Sequence, residues 1–188
     1  MSDYTIVPGS LTAIAAAAGA SLAASFANAE VVIIVDVSGS MQIEDSRNNR
    51  SRYDVELEEL AKLQVSLPGK IAVLAFSDNV EFVPGGVPPM MGQRTILDKA
   101  LKFAKIADVA GMRFILISDG CPDDPVAAMA VARSFTNRID CIYVGPEAMP
   151  EGRDFLLSLS RLRGGTQVTA DRAKELCPAV QQLLLGGR

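Results

Sequence analysis

The stretch that decides the fold is Val31-Val32-Ile33-Ile34-Val35, which leads directly into Asp36-Val37-Ser38-Gly39-Ser40-Met41. An unbroken run of β-branched apolar residues is typical of a strand that is buried on both faces of a sheet. The polar residues that follow leave this strand at its carboxyl end. They supply one carboxylate and two hydroxyls, spaced two residues apart. The stretch therefore predicts a buried strand with an oxygen-rich loop at its end.

Apolar runs alternate with helical patterns along the rest of the chain. Further strands are predicted at residues 71–76, 80–83, 114–117, 139–144 and 166–169. Helices are predicted at residues 52–67, 95–107, 125–135, 152–162 and 171–185. Such alternation is typical of an α/β fold. We therefore predict a doubly wound, mostly parallel six-stranded sheet with one antiparallel edge strand and helices on both faces, a Rossmann-like arrangement of three layers.

The composition excludes several kinds of chemistry. The chain of 188 residues has no His, which excludes Ser-His-Asp and Cys-His catalysis and the imidazole ligands of zinc sites. Its cysteines, Cys121, Cys141 and Cys177, are widely spaced, so we expect neither a disulfide framework nor a thiolate metal site. Reduced thiols indicate a cytoplasmic location. The net charge of -4, without a basic cluster, argues against nucleic acid as a partner.

Residues 1–29 are rich in alanine and allow two interpretations. Apolar residues recur there at helical spacing: Leu11, Ile14, Ala18, Leu22 and Phe26. This spacing predicts one amphipathic helix, capped by Ser10, that packs on a main domain at residues 30–188. The alternative is a signal peptide, since Ala27-Asn28-Ala29 resembles a cleavage site, but the first ten residues contain no Lys or Arg. A transmembrane span is not expected, because the segment is only weakly apolar.

A second carboxylate is expected at the same edge of the sheet as Asp36. The predicted strand at 114–117 ends in Ser118-Asp119-Gly120, and ligands of doubly wound sheets bind beyond the carboxyl ends of the strands, where the strand order reverses. If the two strands are neighbours there, Asp36 and Asp119 face one small volume, and a dication relieves their repulsion. Oxygen ligands alone suit Mg²⁺, Mn²⁺ or Ca²⁺. The plainer alternative is that both are turn residues.

The stretch Asp36-Val37-Ser38-Gly39-Ser40 resembles the metal-ion-dependent adhesion motif, Asp-x-Ser-x-Ser, of von Willebrand factor A-type and integrin inserted domains. Residues 95–101 are similar to the loop and helix that supply a Thr ligand in that family. Residues 114–120 resemble the strand that ends in its last Asp ligand, and residues 71–77 resemble its second strand. The likeness covers about residues 30–185. It implies a von Willebrand factor A-type domain with one divalent ion, Mg²⁺ by preference, on these ligands: Asp36, Ser38, Ser40, Thr95 and Asp119.

The same resemblance implies a function. In the family, the ion keeps an open position that an acidic side chain of a partner protein fills, and intracellular members work beside AAA+ ATPases or in assemblies. We therefore expect a binding module without catalytic residues, whose partner presents an Asp or a Glu. One alternative is a Mg²⁺-dependent hydrolase that uses Ser38, Ser40 or a bound water, although only carboxylates could act as its base. Another is a scaffold domain whose metal site is not used.

Three further segments allow predictions about the surroundings of the site. The loops at residues 42–51 and 84–92 are expected to form a wall around it. Met90 and Met91 in the second loop either contact the partner or tuck beneath the loop. Residues 121–124 are expected to lead into a helix with acidic residues at its start, and not to form a second metal site. On the helix at residues 52–67, the apolar face is predicted to hold Tyr53, Leu57, Leu60 and Ala61.

Overall fold

The computed structural model describes residues 6–45, 49–145 and 150–169. Their elements follow in the order α1 (Leu11–Ala18), α2 (Leu22–Ala27), β1 (Val31–Asp36), α3 (Arg52–Ser66), β2 (Ile71–Phe76), β3 (Val80–Phe82), α4 (Leu97–Ala104), β4 (Arg113–Ser118), α5 (Pro125–Arg133), β5 (Ile139–Tyr143), α6 (Pro150–Arg161) and β6 (Gln167–Thr169). Short 3₁₀ helices follow β1 at Gly39–Gln42 and α4 at Lys105–Ala107. The last predicted helix, at residues 171–185, lies outside the described residues.

The strands form one mixed sheet in the order β3-β2-β1-β4-β5-β6. Strand β3 pairs antiparallel with β2 at one edge, and the other neighbouring strands pair in parallel. The predicted α/β architecture with a mostly parallel sheet and an antiparallel edge strand is confirmed. From β1 the chain builds outward to β2 and β3, and it then crosses to β4 and builds in the other direction. The strand order therefore reverses between β1 and β4, where ligands of such sheets bind.

Hydrophobic layers cover both faces of the sheet. All residues of β1 are buried, and its alternate side chains enter opposite layers. Val32 and Ile34 belong to the layer that α4, α5 and α6 cover. Ile33 and Val35 belong to the layer that α3 covers with residues such as Leu60. Burial from both sides explains why this strand is an unbroken apolar run and not an alternating one.

The N-terminal segment forms two short helices, so the prediction of a single helix was wrong. Gly19 ends α1 in the left-handed conformation, with φ of 61°, and its N–H bonds back to the helix carbonyls. Ser21 then begins α2 by accepting a hydrogen bond from the N–H of Ala24. The apolar spacing missed this break, because it records burial and not the turn chemistry of glycine and serine. As a result, Leu22 of the predicted stripe is 37% exposed.

Helix α1 packs on the sheet through its N-terminal end, and α2 packs on it through its C-terminal end. Leu11, at the start of α1, is 2% exposed and belongs to the layer beneath α4. The ring of Phe26, at the end of α2, meets Phe82 of β3 edge to face, with 5.3 Å between the ring centroids. The N–H of Thr12 donates to the carbonyl of Pro84 in the loop after β3. Throughout the described ranges, the helices are too short or too polar to cross a bilayer.

We expect Leu11→Ala to lower the free energy of unfolding by about 3 kcal/mol, because it leaves a cavity in the core. Leu22→Ala is the matched control, since it is the same change in the same segment at a side chain that is 37% exposed, and it should cost less than about 1 kcal/mol. Urea titrations followed by circular dichroism measure both values. Equal, small losses would mean that α1 does not pack on the sheet in solution.

Candidate metal centre

Asp36 is the last residue of β1, and its side chain is fully buried. Its Oδ1 accepts a hydrogen bond from the backbone N–H of Ser38 at 3.0 Å. Its Oδ2 accepts one from Oγ of Ser118, at the end of β4, at 2.6 Å. The carboxylate is therefore held from its own loop and from the neighbouring strand, which fixes its orientation at the point where the strand order reverses.

The two serines after Asp36 bring their hydroxyls together. The Oγ atoms of Ser38 and Ser40 lie 3.2 Å apart. Ser38 stands at the start of the 3₁₀ helix at Gly39–Gln42, but its side chain makes no capping hydrogen bond there. Ser38 is buried and Ser40 is partly exposed. The hydroxyls thus form a polar pair whose Ser40 side is the one nearer to solvent.

Asp119 comes directly after β4 and is 6% exposed. Its Oδ2 accepts a hydrogen bond from Nη1 of Arg52 at 3.2 Å, whereas its Oδ1 is buried and has no hydrogen-bond partner in the described structure. The next residue, Gly120, has φ of +81°, and a Cβ there would lie 2.2 Å from the carbonyl oxygen of Gly152. Only glycine permits this close packing of the loop against α6. The loop therefore holds a carboxylate oxygen in a buried place where it lacks a donor.

Asp36 and Asp119 lie close enough to interact electrostatically. Burial, and after it the negative charge of Asp119, raises the pKa of Asp36 to about 6, although hydrogen bonds from Ser118 and Ser38 lower it. Burial disfavours the charged form of a carboxyl group, and a second negative charge nearby disfavours it further. The strand ends thus bring the two predicted carboxylates together, as expected if β1 and β4 are neighbours.

Thr95 lies in the loop before α4 and is 6% exposed. Its N–H donates to Oδ1 of Asp123, and its carbonyl accepts from the N–H of Asp123, both at 3.0 Å. On the other side, Ser77 after β2 donates to the carbonyl of Arg94 at 2.8 Å. These bonds hold Thr95 between two loops at the carboxyl edge of the sheet. They run through its backbone, and none of them joins its hydroxyl to the other four predicted ligands.

Arg52, at the start of α3, is a residue of this centre that the sequence analysis did not assign to it. It is 4% exposed, and besides its bond to Asp119 it pairs with both carboxylate oxygens of Asp45, at 2.8 and 2.5 Å. The hydrogen bond and the charge of Arg52 lower the pKa of Asp45. Arg52 therefore joins the loop after β1 to the loop after β4.

Glu56, one turn after Arg52 on α3, is a second charged residue that the sequence analysis missed. It is 1% exposed, and neither carboxylate oxygen has a hydrogen-bond partner in the described structure. Burial, followed by the charges of Asp36 and Asp119, raises the pKa of Glu56 well above its usual range. The site thus includes a third buried carboxyl group.

The inner face of α3 differs from the predicted one. The buried positions include Arg52, Glu56 and Leu60, which are spaced by four residues, while Tyr53 and Leu57 are only half-buried. The prediction assigned Tyr53, Leu57, Leu60 and Ala61 to the buried face because their side chains are largely apolar. Spacing alone gave no signal for Arg52 and Glu56, because Tyr53, Leu57 and Ala61 are also four residues apart and share a helix face in the same way.

The methionines of the loop at residues 84–92 pack inward. Met90 and Met91 are partly buried and contact the layer beneath α3, which favours the interpretation that they tuck under the loop. The hydroxyl of Tyr53 donates to the carbonyl of Pro88 at 2.6 Å. Nε2 of Gln64 donates to the carbonyl of Gly86 at 2.9 Å. Helix α3 therefore holds this loop at two points.

The acidic residues before α5 have local roles, as the sequence analysis favoured. Asp124 begins α5 by accepting a hydrogen bond from the N–H of Ala127 at 2.8 Å. Asp123 binds the backbone of Thr95 and also Nε of Arg94, at 2.7 Å. The carboxylate of Asp124 thus caps a helix, and that of Asp123 joins two loops.

The five predicted ligand side chains, Asp36, Ser38, Ser40, Thr95 and Asp119, offer oxygen atoms only. Across the described part of the chain, no three His, Cys, Asp or Glu side chains form a group that could hold a metal ion by themselves. An ion here would depend on Asp36 and Asp119 together with hydroxyl oxygens and water. Such a donor set fits Mg²⁺, which prefers oxygen and usually keeps several waters. The buried Oδ1 of Asp119, which no described donor satisfies, fits a position next to a cation.

An apolar cavity of about 450 Å³ lies away from these carboxylates. It is bounded by α2, by Val32 near the start of β1 and by the end of α4 with the 3₁₀ helix after it. The lining side chains are all apolar and include Leu22, Phe26, Phe82, Phe103 and Ile106. Since it contains no polar side chain to orient a ligand, the cavity adds no chemistry to the site.

The comparisons with known proteins identify a fold. No family model and no curated protein matches the chain. An aerotolerance-related membrane protein from Bacteroides fragilis NCTC 9343, a variant with multiple mutations to serine, matches with a TM-score of 0.65 and 16% identity, over 84% of this chain and 99% of that chain. The conserved hypothetical protein BatB from Bacteroides thetaiotaomicron matches with a TM-score of 0.61 and 16% identity, over 84% and 98%.

A third similar structure is that of the manganese-loaded TRAP protein of Plasmodium vivax. It matches with a TM-score of 0.56 and 12% identity, over 82% of this chain and 72% of that chain. At these identities the likeness shows the fold alone. The chain therefore has a von Willebrand factor A-like fold.

Proposed function

We propose that this domain holds one divalent cation, Mg²⁺ by preference, and that the ion binds an acidic side chain of a partner protein. The proposed ligands are Asp36, Ser38, Ser40, Thr95 and Asp119. The observation that carries the proposal is Oδ1 of Asp119, which is buried, belongs to a carboxylate that interacts electrostatically with Asp36, and has no hydrogen-bond partner among the described residues. A buried, unsatisfied carboxylate oxygen is costly to the folded state unless a cation or a water completes its surroundings.

The charge balance supports a cation at this position. Asp36, Glu56 and Asp119 are buried carboxyl groups, whereas Arg52 is the buried cation that contacts one of them and is shared with Asp45. Like charges that are removed from water repel strongly, and a dication offsets them. A chain that needed only a stable turn here would gain nothing from gathering these carboxylates.

The ligand types favour Mg²⁺ and leave Mn²⁺ and Ca²⁺ as alternatives. Mg²⁺ is usually bound through one or two carboxylates and retains water, whereas Ca²⁺ takes more oxygen ligands from the protein. Two carboxylates and a pair of serine hydroxyls agree better with the first pattern. A similar fold is known in a manganese-loaded form in the Plasmodium vivax TRAP protein, which supports testing Mn²⁺ beside Mg²⁺.

The exposure of the proposed ligands indicates the side from which a partner could reach the ion. Asp36 and Ser38 are buried, whereas Ser40 is partly exposed, so a partner would approach from the Ser40 side. When bound, the ion supplies positive charge and coordination positions that the domain does not fill, which suits a carboxylate from outside. The loop at residues 84–92, held by α3, would form part of the surrounding wall. From the family resemblance we propose an AAA+ ATPase or an assembly component as the kind of partner.

We propose binding and not catalysis. The chain has no His, so a hydrolase here would need a carboxylate as its general base. Lys70 is no alternative base, because it lies at the start of β2, at the opposite end of the sheet, and pairs with Glu30 at 2.5 Å. Neither an imidazole nor Lys70 can therefore activate the hydroxyl of Ser38 or Ser40.

We expect Mg²⁺ to raise the melting temperature. An ion at about 100 times its Kd stabilises the folded state by about 2.7 kcal/mol, which corresponds to about 5–10 °C for a domain of this size. Asp119→Ala should abolish the rise, because it removes the orphaned oxygen. Differential scanning calorimetry in EDTA and in increasing Mg²⁺ measures both.

Asp154→Ala is the control for this experiment, since Asp154 is an exposed carboxylate that contacts its neighbour Arg153. It should retain the full rise in melting temperature. A rise that persists in Asp119→Ala would place the ion elsewhere in the chain. The absence of any rise in the wild type with Mg²⁺, Mn²⁺ or Ca²⁺ would contradict the metal site.

We expect partner binding to depend on the ion. Proteins captured on the immobilised domain in Mg²⁺ should be released by EDTA, and they should not bind the Asp119→Ala domain, because the carboxylate of the partner would lose its cation. Replacing one Asp or Glu in the identified partner by its amide should weaken binding by about tenfold or more in a purified assay, as expected for a charged hot-spot contact. A partner that remains bound in excess EDTA, and on Asp119→Ala, docks on another surface.

We expect no turnover of phosphoesters or nucleotides. In Mg²⁺, the release of nitrophenol from p-nitrophenyl phosphate and of phosphate from ATP should stay at the rate measured without protein, with wild type and with Asp119→Ala alike. The reason is that the chain has no His to act as a base for the serine hydroxyls. A rate that requires both Mg²⁺ and Asp119 would support a hydrolase in place of a binding module.

A further inference from the structure

Glu56 lies inside the domain, at the junction of α3 with the carboxylate site. It stands one helical turn after Arg52 on the buried face of α3 and is 1% exposed. Arg52 itself contacts Asp119, so this face of α3 is turned toward the loop after β4. Glu56 interacts electrostatically with both Asp36 and Asp119. Three elements, β1, β4 and α3, therefore each bring one acidic side chain to the same region.

No described residue offsets the cost of burying the carboxyl group of Glu56. Both of its carboxylate oxygens are buried, and neither has a hydrogen-bond partner within residues 6–45, 49–145 and 150–169. The charges that act on it, those of Asp36 and Asp119, have the same sign as its own. The nearby guanidinium of Arg52 is used by Asp45 and Asp119. A carboxyl group so placed costs several kcal/mol relative to an apolar side chain, which points to a use for it.

We propose that Glu56 is a positioning residue of the ion site, and that it acts on the ion through water. The proposal rests on the function proposed above and deepens it. Contact through water is favoured over direct ligation, because the described carboxylates do not form a group of three that could hold an ion by themselves. Mg²⁺ usually retains several waters. A buried acceptor with two unoccupied oxygens is suited to accept hydrogen bonds from them.

The charges agree with this assignment. Asp36, Asp119 and Glu56 bring three acidic groups to the site, while the guanidinium of Arg52 is shared between Asp119 and Asp45, so a bound dication would offset negative charge that Arg52 alone does not balance. Groups outside the direct ligand shell commonly change metal affinity by about 10–100-fold. Glu56 would thus set how tightly the site holds its ion, while Asp36 and Asp119 determine where the ion sits.

Ion binding by Glu56→Gln tests the assignment. This variant keeps the size of the side chain and removes its charge. Titration calorimetry of the full chain with Mn²⁺ and with Mg²⁺ should give a Kd at least about tenfold weaker than that of the wild type. The melting temperature in EDTA should not fall, because no hydrogen bond to Glu56 is lost. A merely structural role would lower that temperature and leave the ion Kd unchanged.

Two further variants serve as controls. Glu58→Gln removes a carboxylate of the same helix that pairs with Arg50 and Lys62 at the surface, and it should bind the ions with wild-type Kd. Glu56→Asp retains the charge on a shorter side chain and should recover part of the affinity that Glu56→Gln loses. If Glu56→Asp binds as weakly as Glu56→Gln, the charge is not the cause and the assignment is wrong.

The outcomes separate this inference from the proposed function. If the wild type binds neither Mn²⁺ nor Mg²⁺, the metal site itself is contradicted, and the role of Glu56 falls with it. If the wild type binds and Glu56→Gln binds with the same Kd, the metal site stands and only the role of Glu56 is contradicted. If Glu56→Gln binds the ion with a larger Kd than the wild type, Glu58→Gln does not, and the melting temperature in EDTA is maintained, the role of Glu56 is supported.

Discussion

Two buried carboxylates, those of Asp36 and Asp119, interact electrostatically where β1 and β4 end, and the contacts around them hold both in place. Because these strands are parallel neighbours at the point where the strand order reverses, Asp36 and Asp119 leave the sheet into one small volume. Burial and mutual repulsion raise the pKa of Asp36. The contacts around both groups can be understood as ways to hold two like charges together without exposing them to solvent.

Each of these carboxylates is held by a residue that is distant in the sequence. Ser118 donates to Asp36, and Arg52 donates to Asp119. Arg52 in turn holds Asp45 in the loop after β1, while Asp123 holds the backbone of Thr95. The loops at the carboxyl edge are therefore joined to one another by charged groups. Such mutual support keeps the polar groups at this edge ordered.

The fold and the site depend on the sequence to different degrees. Structures from Bacteroides and Plasmodium match this fold with TM-scores of 0.56 to 0.65 at 12 to 16% identity, which shows how little sequence the architecture requires. The site depends on particular side chains, so the likeness does not carry it over. Its support comes from this chain alone, from the buried Oδ1 of Asp119 and the hydroxyl pair of Ser38 and Ser40.

The sequence by itself determined the features that depend on neighbouring residues. The strand before Asp36 followed from an unbroken apolar run, and the proximity of Ser38 and Ser40 followed from their spacing. Only the tertiary structure decided the rest. The contact between Arg52 and Asp119 joins residues 67 positions apart. Glu56 is buried although glutamate side chains are usually exposed. Local patterns set the periodicity of an element, but the face that is buried depends on what the fold places against it.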